Sequence, residues 1–370
     1  MSTKKDNFSS KDKQFMQIAL NLAIAREGLT GTNPSVGCVI VKNNKIISIG
    51  QTSYNGRPHA EYNAIKDSIE SVSGSKMYVT LEPCCHKGKT PPCTNLIIKS
   101  KISEVIYSIS DIDKRVRNKS IKILKNKNIK VRKNLLNKKV SKFYYPYFFN
   151  RKNKIPFVTG KIAVSKNNLI YSKERQKITN IYSDKFSHFL RYKNDTILIS
   201  YKTLNKDNPK LNCRLKDKIS FSPIRVILDS KLNSKINSYL IRTAPKLKTI
   251  IFYNKADKSK ILLFKSKNIL LIKSKINKNK EFNLKEILKK LYLLGSRNLL
   301  VEGGDKLTKS FLNDKIFNKF YLFKSPNNLS KKTEFVQFKS LNTLKSKYRY
   351  KLKTNLKLKK DKIELYKNYV

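Results

Sequence analysis

The sequence predicts an α/β protein built as two domains, and three observations carry that expectation. The chain is 370 residues long, more than one hydrophobic core usually organises. Short apolar runs alternate with amphipathic helical segments along most of its length, the pattern of an α/β fold. Between Lys138 and Pro156 that pattern gives way to aromatics and basics, including Phe143-Tyr144-Tyr145-Pro146 and Phe148-Phe149, which puts a domain boundary near residue 150.

Each element has its own justification. Asp12 to Glu27 reads as a helix, with Phe15, Ile18, Ala19 and Leu22 spaced along one face. After a Gly/Thr/Asn/Pro turn, Val36-Gly37-Cys38-Val39-Ile40-Val41 is a continuous apolar run, as in a buried strand. Asn43-Asn44 marks a hairpin turn into Ile46-Ile47. His59 to Ile69 reads as a helix and Met77 to Leu81 as a strand. Pro91-Pro92 then opens a helix with Cys93 in its first turn, where a thiolate is favoured. Val105 to Ile109 is a strand and Ser120 to Leu124 a helix, completing a three-layer α/β unit. In the second half, strands are predicted near 157–164, 195–199, 224–228, 248–253, 269–273 and 298–301. Helices are predicted near 183–192, 283–294 and 304–313. The stretch 254–280 reads as surface loop interrupted by one strand. The lysine-rich C-terminal stretch keeps alternating apolar positions at Tyr348, Tyr350 and Leu352, so it is expected to close a sheet.

Composition narrows the function classes. No apolar run approaches the length of a membrane span, and Met1 to Lys11 lacks the apolar segment of a secretory signal. Five cysteines, three of them clustered, suit metal binding in a reducing compartment better than a disulfide framework, so a cytoplasmic protein is expected. The net charge of +56, from 81 basic against 25 acidic residues, is spread from Lys4 to Lys367. It comes with abundant Asn, Ile, Tyr and Phe and no Trp, the residue usage of an A+T-rich coding sequence. A nucleic-acid partner is therefore not expected, although anionic small molecules would be attracted.

The chemistry concentrates in two short stretches. His59-Ala60-Glu61 and Pro83-Cys84 fit the H-x-E…P-C pattern of zinc deaminases, and eight residues separate Cys84 from Cys93 where the generic pattern has two. Of three histidines and five cysteines in the chain, two and three respectively fall between residues 59 and 93. His59, Cys84 and Cys93 would hold zinc, leaving the fourth position for water, and Glu61 would move the protons. Cys85 could compete as a ligand, but the downstream spacing favours Cys84. Cys38 reads as a core thiol, and Cys213 carries no evident role.

These motifs resemble the bifunctional deaminase/reductase family of riboflavin biosynthesis. Thr32-Asn33-Pro34-Ser35-Val36-Gly37-Cys38, His59-Ala60-Glu61 and Glu82-Pro83-Cys84-Cys85-His86-Lys87-Gly88-Lys89-Thr90-Pro91-Pro92-Cys93 look like its deaminase half. The reductase half is resembled by Phe157-Val158-Thr159, Lys161-Ile162-Ala163, Thr203-Leu204, Asp207-Asn208-Pro209, Arg225-Val226-Ile227-Leu228-Asp229 and Leu300-Val301-Glu302-Gly303-Gly304. The resemblance implies a cytidine-deaminase-like three-layer α/β/α domain over 1–150 and a dihydrofolate-reductase-like α/β domain over 151–370. It implies zinc and NADPH as cofactors, a homo-oligomer, and 2,5-diamino-6-ribosylamino-4(3H)-pyrimidinone 5′-phosphate as substrate. Asn33, His86 and Lys89 would contact that substrate in the first domain. Arg175, Arg191, Leu211, Arg214 and Glu302 would do so in the second, with Arg191 and Arg214 on the phosphate. Ala163, Lys177, Thr203, Asp207 and Gly304 would contact NADPH, and Glu302-Gly303-Gly304 opens a helix suited to a phosphate.

The chain departs from the family pattern in its second half. Ser165-Lys166-Asn167-Asn168 stands where the family has S-x-D-G, Lys177 where it has Trp, and Ser200 where it has Gly. These departures raise an alternative, a deaminase whose second half is only a scaffold. A nucleic-acid-editing deaminase is a further alternative, against which the long Cys84–Cys93 interval and the whole second domain argue.

Overall fold

The computed structural model describes residues 8–174, 177–348, 350–353 and 358–368. The chain divides into two compact units between Asn153 and Lys154.

In the first unit, α1 (Ser10–Ala25) starts at a capping box: the Ser9 hydroxyl accepts from the Asp12 N–H and the Asp12 carboxylate from the Ser9 N–H. Its buried apolar face is Phe15, Met16, Ala19, Leu20 and Ala23, slightly rotated from the predicted stripe, so that Ile18 and Leu22 are half-buried. The strands β1 (Gly37–Lys42) and β2 (Lys45–Gln51) form a hairpin through Asn43 and Asn44. Both turn residues are left-handed, at φ 48° and 61°, as a tight hairpin between twisted strands requires. Then follow α2 (Ala60–Lys66), β3 (Lys76–Leu81), α3 (Cys93–Lys99), β4 (Glu104–Ile109), α4 (Ser120–Lys125), β5 (Lys130–Lys133) and α5 (Asn137–Asn153). The sheet order is β2-β1-β3-β4-β5, antiparallel around β1 and parallel from β3 to β5. Val39, Val41, Tyr78 and Ile106 pack with α1, whereas Cys38, Ile40, Met77, Val79 and Val105 cluster with Ala60, Ala64 and Ile97 of α2 and α3. The unit is thus three layers, as predicted.

Two features position the future site. A methyl group on Gly50 would lie 2.2 Å from the Ala60 carbonyl oxygen, so only glycine lets the start of α2 approach β2 this closely. The aromatic and basic stretch before residue 156 is the helix α5, which packs into this unit. Its Tyr144 hydroxyl reaches the Thr80 hydroxyl and the Ser35 carbonyl, each at 2.7 Å.

The second unit comprises β6 (Phe157–Val164), β7 (Leu169–Ser172), α6 (Ile181–Tyr192), β8 (Thr196–Ser200), α7 (Tyr201–Asp207), β9 (Ile224–Leu228) and α8 (Tyr239–Arg242). It continues with β10 (Thr249–Tyr253), α9 (Lys258–Ser266), β11 (Leu270–Lys273), α10 (Leu284–Leu293), β12 (Asn298–Val301) and α11 (Asp305–Asn313). It ends with β13 (Lys319–Lys324), β14 (Phe335–Gln337), α12 (Leu341–Lys347), β15 (Tyr350–Lys353) and β16 (Lys362–Lys367). Nine strands form one sheet in the order β11-β10-β9-β8-β12-β6-β13-β16-β15, parallel up to β13, while β7 and β14 pair separately. Parallel strands are covered on both faces. Val158, Leu198, Val226 and Ile250 accordingly pack with α10 and α11, and Ile197, Ile199, Ile227 and Ile251 with residues of α6 to α9.

The stretch 254–280 contains the helix α9, not only loop and strand. Phe264 is its one buried side chain, so its sequence carries little periodic apolar signal. The C-terminal residues do close the sheet, as β15 and β16, with Tyr348 buried.

Candidate functional site

Three local elements bring the predicted zinc ligands together. His59 is the N-terminal cap residue of α2 and Glu61 lies in its first turn. Cys84 follows the end of β3, and Cys93 is the first residue of α3. The His59 Nδ1 atom is 3.3 Å from Cys93 Sγ and 3.6 Å from Cys84 Sγ, and the Cys93 N–H points at Cys84 Sγ at 3.3 Å. All three donor atoms lie within 4.8 Å of one another, a spacing one ion with bonds of about 2.0–2.3 Å can span. One imidazole and two sulfurs are donors suited to zinc, so the residues fit that metal. Cys85 points away, its Sγ 3.4 Å from the Arg115 carbonyl. Cys38 is fully buried, and burial pushes its thiol well up.

Hydrogen bonding and burial set the charge of these donors. The Cys84 thiol is pulled down to about 4, chiefly by the Cys93 thiol donating to it and also by His59. Cys93 is pushed up by the same hydrogen bond and by burial. Glu61 is 4% exposed, and its burial raises the carboxyl against the pull of His59. A carboxyl so held suits a group that both takes and returns a proton.

His59, Glu61 and Cys84 open into a cavity also lined by Asn33 and His86. Asn33 is fixed by its Nδ2 donating to the Gly56 carbonyl at 2.8 Å. His86 Nδ1 is buried without a protein partner, a polar atom left for a ligand. Lys89 is exposed and is not part of the cavity wall. The sequence reading missed Arg57, Asp111, Asp113, Arg115, Tyr147 and Arg151, all of which line the cavity. Glu82 shapes that wall: it accepts from the N–H groups of Asp111 and Asn118 and from the Ser120 hydroxyl. The signal for this loop was its place after a parallel strand, where α/β sheets bind ligands.

The second unit holds a cavity of about 920 Å³, against about 130 Å³ in the first. It lies at the carboxyl ends of β6, β8 and β12 and is lined by Ala163, Arg191, Thr203, Asp207, Leu211, Glu302 and Gly304. Its size suits a dinucleotide. A Cβ added to Gly304 would meet nothing within 4 Å, so the backbone at the start of α11 is open to a phosphate. Lys202, Lys206, Lys306 and Lys339 add cations to the wall. The residues therefore fit NADPH.

Not every predicted contact falls where the sequence put it. Arg191 spends its fork on Glu302, with Nε and Nη2 donating at 2.9 and 2.7 Å, so it is not free for a phosphate. Burial works against ionisation of Glu302, but Arg191 keeps its carboxyl below the usual value. Arg214 is exposed outside the cavity wall, three residues after Leu211, which lines it, so it would meet only the part of a substrate that extends past the wall. Lys177 is exposed and paired with Asp184 at 2.7 Å, away from the cavity. Arg175 lies outside the described residues. Lys161, not singled out as a site residue from the sequence, lines the cavity, and burial lowers its ammonium. Its signal was a lysine inside the otherwise apolar run of β6.

Comparison with known proteins gives the same two halves. Residues 9–109 match the cytidine and deoxycytidylate deaminase zinc-binding region, and residues 164–368 match the RibD C-terminal domain. The chain is 32% identical over 317 residues to riboflavin biosynthesis protein RibD of Aquifex aeolicus, covering 85% of this chain and 87% of that one. It is 34% identical to the protein of the same name from Buchnera aphidicola, with 85% and 87% covered. It also resembles the crystal structure of a diaminohydroxyphosphoribosylaminopyrimidine deaminase/5-amino-6-(5-phosphoribosylamino)uracil reductase from Thermotoga maritima. That likeness has a TM-score of 0.80 and 29% identity, and it covers 96% of this chain and 98% of that one.

Proposed function

The chain belongs to the RibD family of riboflavin-biosynthesis deaminase/reductases, and from that premise we propose how its residues divide the two reactions. It is a zinc hydrolase and an NADPH-dependent reductase in one chain. The proposed deaminase domain is residues 1–150 and the proposed reductase domain residues 151–370.

The observation that carries the deaminase reading is the convergence of His59, Cys84 and Cys93 beside the buried Glu61. When bound, zinc activates a water for attack at neutral pH. His59, Cys84 and Cys93 would hold it, and Glu61 would accept the proton and hand it to the departing amine. Asn33 and His86 would orient the pyrimidine of 2,5-diamino-6-ribosylamino-4(3H)-pyrimidinone 5′-phosphate. In the second cavity NADPH, when bound, supplies the hydride that turns the ribosyl group into ribityl. Ala163, Thr203, Asp207 and Gly304 would hold that cofactor, and Glu302, Leu211 and Arg214 the substrate, with Arg191 keeping Glu302 in place.

A coupled assay on the purified chain tests this, reading ammonia with and without NADPH and the ribityl product separately. Ammonia release independent of NADPH, followed by NADPH-dependent ribityl product, is expected. Ammonia alone would return the reading to a deaminase with a scaffold domain. Among the described residues no helix is long and apolar enough to cross a membrane. We place the enzyme in the cytoplasm as a homo-oligomer acting on small molecules, which light scattering and fractionation would check.

A further inference from the structure

We infer that His188 is a positioning residue of the reductase: it fixes the turn Leu211–Arg214 that presents Leu211 and Arg214 to the substrate. The inference rests on the reductase reading above and goes beyond its residues.

The turn is not self-supporting. Leu211 is buried with φ at 50°, a left-handed conformation that a branched residue adopts only when its surroundings impose it. What imposes it comes largely from α6. His188 and Arg191 are three residues apart on that helix and therefore share a face. The His188 Nδ1 atom is 3.2 Å from the Arg214 N–H and 3.2 Å from the Asn212 carbonyl oxygen. Whichever neutral tautomer is present, Nδ1 either accepts from Arg214 or donates to Asn212, so the ring ties the turn in both. Arg191 Nη1 donates to the same Asn212 carbonyl at 3.3 Å. Cys213, fully buried, adds its N–H to the Ser222 hydroxyl at 3.1 Å and its thiol toward the His188 carbonyl at 3.7 Å. Arg214 is thus left with its backbone clamped and its side chain exposed, Nη1 resting on Asn212 Oδ1 at 3.0 Å.

Burial, reinforced by the neighbouring Arg191 and Arg214 cations, holds the His188 imidazole near 4. It is therefore neutral at physiological pH and keeps one nitrogen able to accept. This is a polar role on a helix face that also buries Ser183 and Ser187. The same helix exposes Ile181, Tyr182 and Phe189.

The test compares His188→Asn with His188→Leu in the full chain. Asparagine places an amide atom where Nδ1 stands, and leucine has nearly the same shape without it. NADPH oxidation is followed with the deaminated nucleotide as substrate, and NADPH binding by its fluorescence. The leucine variant should raise KM for the nucleotide about tenfold, the order expected for one lost hydrogen bond. Its kcat and NADPH affinity should stay within about twofold, because the reacting groups and cofactor cradle are untouched. The asparagine variant should stay near wild type. A leucine variant with wild-type KM, or an asparagine variant as impaired as leucine, overturns the inference while leaving the reductase reading intact. Wild-type protein that oxidises no NADPH overturns both. Should the leucine variant not fold, the His188 ring-nitrogen resonances of the wild type decide: an Nδ1 hydrogen-bonded to neither Arg214 nor Asn212 refutes the clamp.

Discussion

Replacing Glu61 by Gln is the sharpest perturbation of the deaminase half. The amide keeps the size and burial of a side chain that is only 4% exposed, and the three zinc donors do not include it. What it removes is the ability to take a proton and return it. Positioned acid–base groups contribute on the order of 10²–10⁴ in rate, or roughly 3–5 kcal/mol at about 1.36 kcal/mol per tenfold. Burial already lifts the Glu61 carboxyl above its usual value, which favours such a shuttle. The assay is ammonia release under saturating substrate, with bound zinc measured by atomic emission. NADPH oxidation on supplied deaminated nucleotide is the internal control. A loss of at least about a hundredfold in ammonia release, with zinc and reductase activity retained, is expected. A zinc-loaded Glu61→Gln protein that still deaminates within about tenfold of wild type would show that another group moves the proton.

Other perturbations separate the two halves further. Cys93→Ser removes one of the three zinc donors while keeping the backbone N–H that points at Cys84 Sγ; zinc content and ammonia release should fall together, and a variant retaining both would sink the ligand assignment. Glu302→Ala strands Arg191, whose side chain is only 13% exposed, so thermal stability should drop by about 3–5 kcal/mol along with reductase activity. A stability unchanged within error would mean the pair is solvated. His188 has a folded-state value near 4, below its ordinary 6.5. The stability it supports is therefore complete above about pH 6.5 and lost as pH falls toward 4, with Glu302 pulling weakly the other way. Wild type should lose melting temperature relative to His188→Asn across that window, and a constant difference would contradict the reasoning. Arg225 is 0% exposed and donates to Leu240 and Leu247 carbonyls and to the Thr243 and Thr249 hydroxyls. Arg225→Met should cost about 2–3 kcal/mol, roughly 5–10 °C, by orphaning those acceptors, which calorimetry would read.

How much was legible in the sequence follows from how far apart the cooperating residues lie. His59, Glu61, Cys84 and Cys93 span 35 positions, three of them at helix starts that follow prolines and Cys84 just past a strand end, so the metal centre could be read directly. The wall opposite could not: Asp111 and Arg115 join it because β4 neighbours β3 in the sheet, and Tyr147 because α5 packs back onto the unit. The helix α5 was hidden because Pro146 and its aromatics look like a break, whereas the helix simply carries the proline inside it. The reductase cavity draws Ala163, Thr203 and Glu302 from three strand ends, and no local pattern links them. There the resemblance supplied residues that periodicity could not, but it also placed Lys89 and Lys177 at walls they do not line.

The departures in the second half look different once their geometry is known. A lost glycine matters only where its conformation or its missing side chain was used. Asn168 adopts φ 59°, the left-handed turn a glycine would have supplied and one asparagine tolerates. Asn167 replaces an acid yet ties the turn down, its amide bonding both the N–H and the carbonyl of Leu329. Ser200 caps α7, its hydroxyl accepting from the Thr203 N–H at 3.4 Å, and so anchors the helix that carries Thr203 and Asp207. Lys177, in place of a tryptophan, pairs with Asp184 on the first turn of α6, the helix that also bears His188 and Arg191. Asn167, Asn168 and Ser200 thus keep the local turn or cap, and of the four positions Ser200 alone lines the cavity. A decayed scaffold has no reason to preserve the α7 cap at Ser200 beside an open cavity that still gathers Thr203, Asp207, Glu302 and Gly304, and that is the structural case for a working reductase.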